Sequence, residues 1–263
     1  MTLTVQQAID RIVSSIPGAP FSDTVDTIKV GDASQEIGSV VVTFMATCEV
    51  IERAVQLGAN LIITHEPTFY NHRDTTDWLN EYPSYLAKRQ LIEKSRLVIW
   101  RFHDYLHSLP PDSTFMGLLK ELKWEATGLP EQPYMCSIQP TTLLDLGESV
   151  KKRLGLQTIR VVGDLASRCE KVALLPGFPP AEFQIGSLGK AGADVLITGE
   201  IHEWEVSEYV RDAAYLGYKK GLIVIGHAAS EEPGLRYIIP WLEERLPGVA
   251  FHFVSSGSPF HQV

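Results

Sequence analysis

Three short clusters in this 263-residue sequence set imidazoles beside carboxylates. They are Thr64-His65-Glu66-Pro67-Thr68-Phe69-Tyr70, Arg101-Phe102-His103-Asp104-Tyr105-Leu106-His107 and Gly226-His227-Ala228-Ala229-Ser230-Glu231-Glu232. A neutral imidazole and an ionised carboxylate are both good ligands for Zn, Fe or Mn. His103 and His107 are four apart, as are His227 and Glu231, so one helical turn puts each pair on one face. Asp104 serves either as a ligand or as the carboxylate that fixes a histidine tautomer. The small Ala228 and Ala229 leave room for an ion or a substrate. Taken singly the signals are weak. A His-Glu pair at a strand end also serves as a structural cap, and Ser230 with Glu231 and Glu232 can simply start a helix, with a favourable charge–dipole placement. That second account leaves His227 unexplained. Taken together, His65, Glu66, His103, His107, His227 and Glu231 exceed what one four-coordinate ion requires. They predict a pair of divalent ions (Zn, Fe or Mn) about 3.5–4 Å apart. No thiolate is among them, which argues against a structural zinc site.

The elements that must position these groups alternate between strand and helix. Periodicity predicts helices over 5–15, 47–57, 84–94, 181–190, 204–216 and 234–246, and strands over 40–45, 61–64, 97–102, 172–175, 195–198, 222–225 and 249–254. Strands separated by helices of ten or so residues indicate parallel βαβ units and an α/β fold. Each polar cluster then falls just past the carboxyl end of a strand, where open α/β sheets bind their ligands. The nine residues Gly58-Ala59-Asn60-Leu61-Ile62-Ile63-Thr64-His65-Glu66 also align with Gly192-Ala193-Asp194-Val195-Leu196-Ile197-Thr198-Gly199-Glu200, with five identities. This repeat predicts two similar α/β lobes with a metal cleft between them. The expected division is an N-terminal lobe over 1–125, a less regular connector over 126–168 and a C-terminal lobe over 169–263.

Other motifs carry less. Leu175-Pro176-Gly177-Phe178-Pro179 precedes a helix but lacks any glycine-rich phosphate signature, so a tight turn is expected there. Gly199-Glu200-Ile201-His202-Glu203 mirrors the first cluster and borders the same cleft, with His202 either supporting a ligand or on the surface. His72, His252 and His261 have no partner pattern and are read as structural or exposed. Cys48, Cys136 and Cys169 are widely spaced and odd in number. They fit buried thiols of a reducing cytoplasm, not a disulfide framework, and no histidine spacing makes any of them a nucleophile.

Composition narrows the classes further. Asp plus Glu is 32 against 23 for Lys plus Arg, giving a formal charge of −9 at a mean hydropathy of zero. General nucleic-acid binding, which needs a basic footprint, is not expected. Apolar runs fall far short of the ~18 residues of a membrane span. The N-terminus, with Asp10 and no basic stretch, does not read as a signal peptide, so a cytoplasmic location is expected. Two divalent ions in a cleft would still make it attractive to a phosphate, so a nucleotide ligand fits.

With these blocks in hand, the chain resembles the NIF3 family (NGG1p-interacting factor 3-like, DUF34), a family of dinuclear-metal-centre proteins. The resemblance rests on residues 58–70 (GANLIITHEPTFY), residues 193–202 (ADVLITGEIH) and residues 226–231 (GHAASE). His65, His227 and Glu231 match family ligand positions, and His103 matches the histidine of a His-x-x-x-Asp block. Glu66 stands where the family has a second histidine, and His107 where it has aspartate, with Asp104 a second candidate for the missing carboxylate. The two exchanges leave the count at four histidines and two carboxylates. The resemblance implies a two-lobed α/β protein forming a homohexamer, with too little chain over 124–168 for the PII-like insertion of some members. It also implies the GTP cyclohydrolase type 2 designation of that family. The expected function is a metal-dependent hydrolase acting on a small molecule such as a phosphoester, nucleotide or cyclic amide, with Glu66, Asp104 and Glu200 available to handle protons. The alternative is a non-catalytic metal-binding oligomer with a regulatory, chaperone or metal-handling role.

Overall fold

The computed structural model describes residues 3–126 and 132–261, which divide into two compact units. The first comprises residues up to 113 together with 235–256, the second residues 114–234 together with the chain end from 257. Among the described residues no helix is long and apolar enough to cross a membrane.

In the first unit the chain runs through α1 (Val5–Val13), β1 (Ile28–Val30), β2 (Ser39–Thr43), α2 (Cys48–Gln56), β3 (Ala59–Thr64), α3 (Pro83–Ser95), β4 (Val98–Arg101) and the short α4 (Asp104–His107). Helix α1 is opened by a capping box, with the Thr4 hydroxyl and the Gln7 amide satisfying each other's backbone N–H groups. Thr47 caps α2 through the N–H of Val50, as its place before a periodic apolar stretch predicts. Strands β2, β3 and β4 are parallel and adjacent, with β1 antiparallel on one edge. Their apolar runs are buried on both faces, with Val40, Val41, Leu61, Ile62, Val98 and Ile99 fully buried. The core of this unit packs Val41, Ile62 and Ile99 of the sheet against Val50, Ile51 and Ala54 of α2 and Tyr85 and Ile92 of α3.

The second unit contains α5 (Ser113–Leu122), β5 (Met135–Thr142), α6 (Leu143–Arg153), β6 (Arg160–Val162), β7 (Arg168–Leu175), α7 (Ala181–Gly189), β8 (Val195–Thr198), α8 (Glu208–Tyr215) and β9 (Gly221–Val224). Its sheet has the order β5-β7-β8-β9-β6, with β7, β8 and β9 parallel and antiparallel strands on both edges. The segment that reads as a connector in sequence therefore supplies both edge strands and α6, although residues 127–131 lie outside the described part. Both edges are largely half-buried or exposed, and β6 is only three residues long, which is why their pattern is weaker than that of the buried centre.

Last come α9 (His227–Arg245) and β10 (Phe251–Phe253). Helix α9 starts at His227, seven residues ahead of the start expected at 234, and contains Pro233 and Pro240. A proline ordinarily ends the helical pattern at the residue before it; Pro233 is tolerated within the second turn, buried among its neighbours. Strand β10, read from sequence as the end of a C-terminal lobe, pairs parallel with β2 in the first sheet.

The nine-residue repeat maps onto the central strand of each sheet: β3 lies between β2 and β4, and β8 between β7 and β9. Its polar position recurs in role as well. Asn60 Oδ1 accepts the N–H of Gly38 just before β2 (2.7 Å), and Asp194 Oδ2 accepts those of Glu170 and Lys171 in β7 (2.9 Å each). Thr64 and Thr198 both end their strands fully buried, Thr64 opposite Thr43 and Arg101, Thr198 opposite Leu175 and Val224. Within each unit the carboxyl ends of the three central parallel strands thus finish on one edge.

Helices α5 and α9 meet at glycine. A Cβ on Gly117 would lie 2.4 Å from both N and Cα of Gly234, which is backbone and cannot swing aside. Gly117→Ala is therefore expected to lower stability by about 1–3 kcal/mol through overpacking, despite the better helix propensity of alanine. Denaturant unfolding of the two proteins measures it.

Candidate metal centre

In the first unit, β3 and β4 deliver the side chains. His65 follows β3 and is buried to 1% exposure, while His103 and His107 flank the single turn of α4 after β4. The three rings converge, with centroids 4.7 Å apart for His65–His103, 5.0 Å for His65–His107 and 4.8 Å for His103–His107. One ligand atom from each lies within 4.8 Å of the other two, so this group could hold a metal ion.

The outer nitrogens explain the convergence. His65 Nδ1 lies 3.1 Å from the Phe102 carbonyl, His103 Nδ1 2.9 Å from Asp104 Oδ1 and His107 Nδ1 2.9 Å from Asp112 Oδ2. Each contact is to an oxygen acceptor, so each Nδ1 carries the proton and each neutral ring keeps its lone pair on Nε2. Burial, then the neighbouring His65 and His107, push the His103 imidazole down to about 3, which keeps it neutral near pH 7. Burial would raise the Asp104 carboxyl, but the N–H of Val25, the His103 ring and the Thr24 hydroxyl outweigh it and hold Asp104 at about 2. Both Asp104 oxygens are thus engaged in placing His103 (Oδ1 by the ring, Oδ2 by Thr24 and Val25).

Glu66 sits at the rim of this group. Its Oε2 is 3.3 Å from Arg101 Nη2 and its Oε1 is 3.8 Å from His103 Nε2. Arg101 is fully buried; its Nε donates to the His65 carbonyl (3.1 Å) and its Nη1 to that of His72. One guanidinium thereby holds both residues of the His65-Glu66 pair. His72, read as having no partner pattern, is exposed and meets the His103 ring edge-on at 5.7 Å.

Sequence reasoning missed two residues here. Asp26 is buried and accepts the N–H groups of His103 (2.8 Å), Asp104 (3.1 Å) and Tyr105 (2.7 Å), so it satisfies the exposed start of α4 from a distant loop. Burial raises its carboxyl, against the pull of those three N–H groups. Nothing local in the sequence ties Asp26 to His103. Asp112 has a faint signal, an acidic residue five places after His107.

The second unit presents a smaller group. His227 opens α9 after β9; its Nδ1 is 2.9 Å from Glu200 Oε2 and its Nε2 is 3.2 Å from Glu231 Oε2, one turn on. Glu200, named from sequence as a proton-handling group, here fixes the histidine, and the hydrogen bond from His227 lowers its carboxyl, against a smaller opposing push from burial. Two glycines let α9 in this closely. A Cβ on Gly177 (φ +74°) would lie 2.3 Å from Glu231 Oε1, and one on Gly199 would lie 2.3 Å from Ser230 Oγ. The Ser230 hydroxyl accepts the Gly177 N–H (2.9 Å) and donates to the His227 carbonyl (2.7 Å). The Leu175–Pro179 motif is thus a turn that seats α9, and Ser230 braces the helix start without excluding a ligand role for His227.

Among the thiols, Cys136 and Cys169 are buried, which pushes them up to about 12 and about 11. Cys48 is exposed at the start of α2, contrary to the expectation of burial, because it occupies the outward face of the first turn.

These features define an α/β protein with two five-stranded sheets and a His/carboxylate group able to hold a metal ion. The donor set fits Zn, Fe or Mn, since neutral imidazoles held through Nδ1 are the usual form of histidine ligands to such ions. The chain belongs to the Duf34/NIF3 (NGG1p interacting factor 3) family, whose model matches residues 26–259. It is 26% identical over 253 residues to the "GTP cyclohydrolase 1 type 2 homolog" of Clostridium perfringens (strain 13 / Type A), covering 90% of this chain and 91% of that one. The protein of the same name from Streptococcus pneumoniae serotype 4 is 26% identical over 251 residues, covering 90% of each chain. Among solved structures, the Bacillus cereus protein related to NIF3 matches with a TM-score of 0.80 at 17% identity over 100% of both chains. A hypothetical protein of Staphylococcus aureus matches at 0.77 and 18% identity, again over 100% of both.

Asp112→Asn keeps the size of the side chain and removes the charge that anchors the outer nitrogen of His107. It should weaken metal binding by roughly 10–100-fold. Competition against a chromogenic chelator, beside wild-type protein, reads this out.

Proposed function

We propose that this protein is a metal-dependent hydrolase of a phosphoester, nucleotide or cyclic amide, using two divalent ions (Zn, Fe or Mn). The observation that carries the reading is the convergence of three imidazoles, each held by an oxygen at Nδ1 so that Nε2 carries the lone pair. His65, Glu66, His103 and His107 of the first unit and His227 and Glu231 of the second are the proposed ligands. When bound, such ions polarise a phosphoryl or carbonyl oxygen and acidify water.

The chain's own residues supply orientation and proton placement. Arg101 fixes the His65-Glu66 pair through a backbone carbonyl and a carboxylate oxygen at once, so neither can turn without the other. The Nδ1 protons of His103 and His107 stay on the side of Asp104 and Asp112. Glu200 keeps the Nδ1 proton of His227 in the same way, which turns Nε2 toward Glu231. Glu66 has one oxygen on Arg101 and the other toward His103, which holds its carboxylate against the imidazole group. The name borne by the Clostridium and Streptococcus relatives adds GTP to the candidate substrates. A cytoplasmic homohexamer without general nucleic-acid or membrane binding belongs to the same reading, with sedimentation velocity as its check.

Replacing His65 and His227 together by alanine is expected to abolish turnover of a panel of phosphoesters and nucleotides assayed with Zn, Mn or Fe. Elemental analysis of untagged protein should show the metal content falling in parallel. Turnover that survives the double substitution overturns the reading. Tightly held metal with no turnover on any substrate would establish the non-catalytic metal-binding alternative instead.

A further inference from the structure

The second unit carries an aromatic group that the ligand sets do not use. Phe178 follows Gly177 in the loop after β7, while His202 and Trp204 lie in the loop after β8. The His202 ring stacks on the Trp204 indole (centroids 4.9 Å, planes 26° apart), and Phe178 meets His202 edge-on (4.8 Å, 79°). Trp204 is nonetheless 73% exposed, so its other face is open to solvent. It is carried by a π-helical turn, Glu203–Ser207, a form that occurs frequently at functional sites.

The same two loops build the His227 group. The residue before Phe178 is the glycine whose Cβ would touch Glu231 Oε1 at 2.3 Å and lie 3.6 Å from His227 Nε2. The residue two before His202 is Glu200, whose carboxylate holds His227 Nδ1. A molecule with its reacting group at His227 and Glu231 therefore has Phe178 one residue beyond Gly177 on one loop, and His202 and Trp204 two and four residues beyond Glu200 on the other. The flank carries the carboxylates of Glu200 and Glu203, the latter paired with Arg160, so it suits a neutral ring bearing N–H donors better than a second anion.

We infer that Phe178, His202 and Trp204 form a stacking subsite for a planar heteroaromatic ring of the substrate, of the purine kind, beside the Glu200–His227–Glu231 group. The inference rests on the hydrolase reading only in calling the ring-bearing molecule a substrate. Stacking of one base on an exposed aromatic is worth a measurable share of affinity and tolerates ring identity, because every base has a π face.

The test uses the full-length metal-loaded protein and its metal-free form, titrated calorimetrically with guanosine 5′-monophosphate and with ribose 5-phosphate, which lacks the ring. Trp204→Ala is expected to weaken nucleotide binding by roughly 5- to 150-fold. Trp204→Phe should retain most of the affinity, and neither substitution should alter ribose 5-phosphate binding or metal content. Equal binding of the two ligands to wild-type protein, or nucleotide affinity unchanged in Trp204→Ala, overturns the subsite. So does a Trp204→Ala protein whose only change is its oligomeric state in sedimentation, which would make the surface a contact between copies of the chain. Trp204-dependent nucleotide binding without turnover would leave the subsite standing and remove the hydrolase reading. Nucleotide turnover whose KM is indifferent to Trp204 would do the reverse.

Discussion

A neutral imidazole has one N–H and one lone pair, and what occupies the first decides where the second points. Much of the candidate centre follows from that constraint. Phe102, Asp104 and Asp112 each take the Nδ1 proton of one histidine in the first unit, and Glu200 does so for His227 in the second. These acceptors are held in turn. Asp104 is tied to Thr24 and Val25, and the turn bearing His103 and Asp104 hangs from the buried Asp26. The Arg101 guanidinium fixes the backbone at His65 and the side chain of Glu66. Burial and the neighbouring imidazoles keep the His103 lone pair in place, holding that ring down at about 3. Part of the acidic excess of the chain is therefore at work inside the sites.

The two sheets use one scaffold for different chemistry. Both halves of the repeat are central parallel strands ending in a buried threonine, and both pin the neighbouring strand through Asn60 or Asp194. They diverge at the next position, where the first has His65 and the second Gly199. The divergence has a steric cause: at Gly199 even a Cβ would collide with Ser230 Oγ at 2.3 Å and the Gly177 carbonyl oxygen at 2.7 Å. The second unit supplies its histidine from the next strand end and orients it with Glu200, at the repeat position that Glu66 holds in the first. There the carboxylate pairs with an arginine, here with an imidazole. A shared backbone thus tolerates different polar sets because the groups sit beyond the hydrogen-bonded strands, where side-chain size alone is limiting.

The alternating pattern, the six strands that form the parallel centres of the two sheets and the three polar clusters were legible from residues alone. Continuous apolar, mostly β-branched runs such as 40–42 and 195–197 have no stable place except a strand buried on both faces, and the residues after them must then emerge at its carboxyl end. The repeat located the equivalent strands for the same reason. Less legible were the amphipathic edge strands over 135–142 and 160–162, the start of α9 at His227 and the exposure of Cys48. In each case a weak or contrary local signal is overridden by packing, as with Pro233 held inside a helix.

The sequence by itself determined the chemistry on offer, four histidines and nearby carboxylates at strand ends, because residue type and period-two or helical spacing act over a few neighbours. Only the tertiary structure decided how those groups are held. It made Asp104 the anchor of a histidine, gave Glu66 an arginine partner and brought Asp26 beneath α4 from a loop 77 residues earlier in the chain. Hydrogen bonds of that kind depend on which loops meet in space, and no local pattern in the chain encodes that meeting.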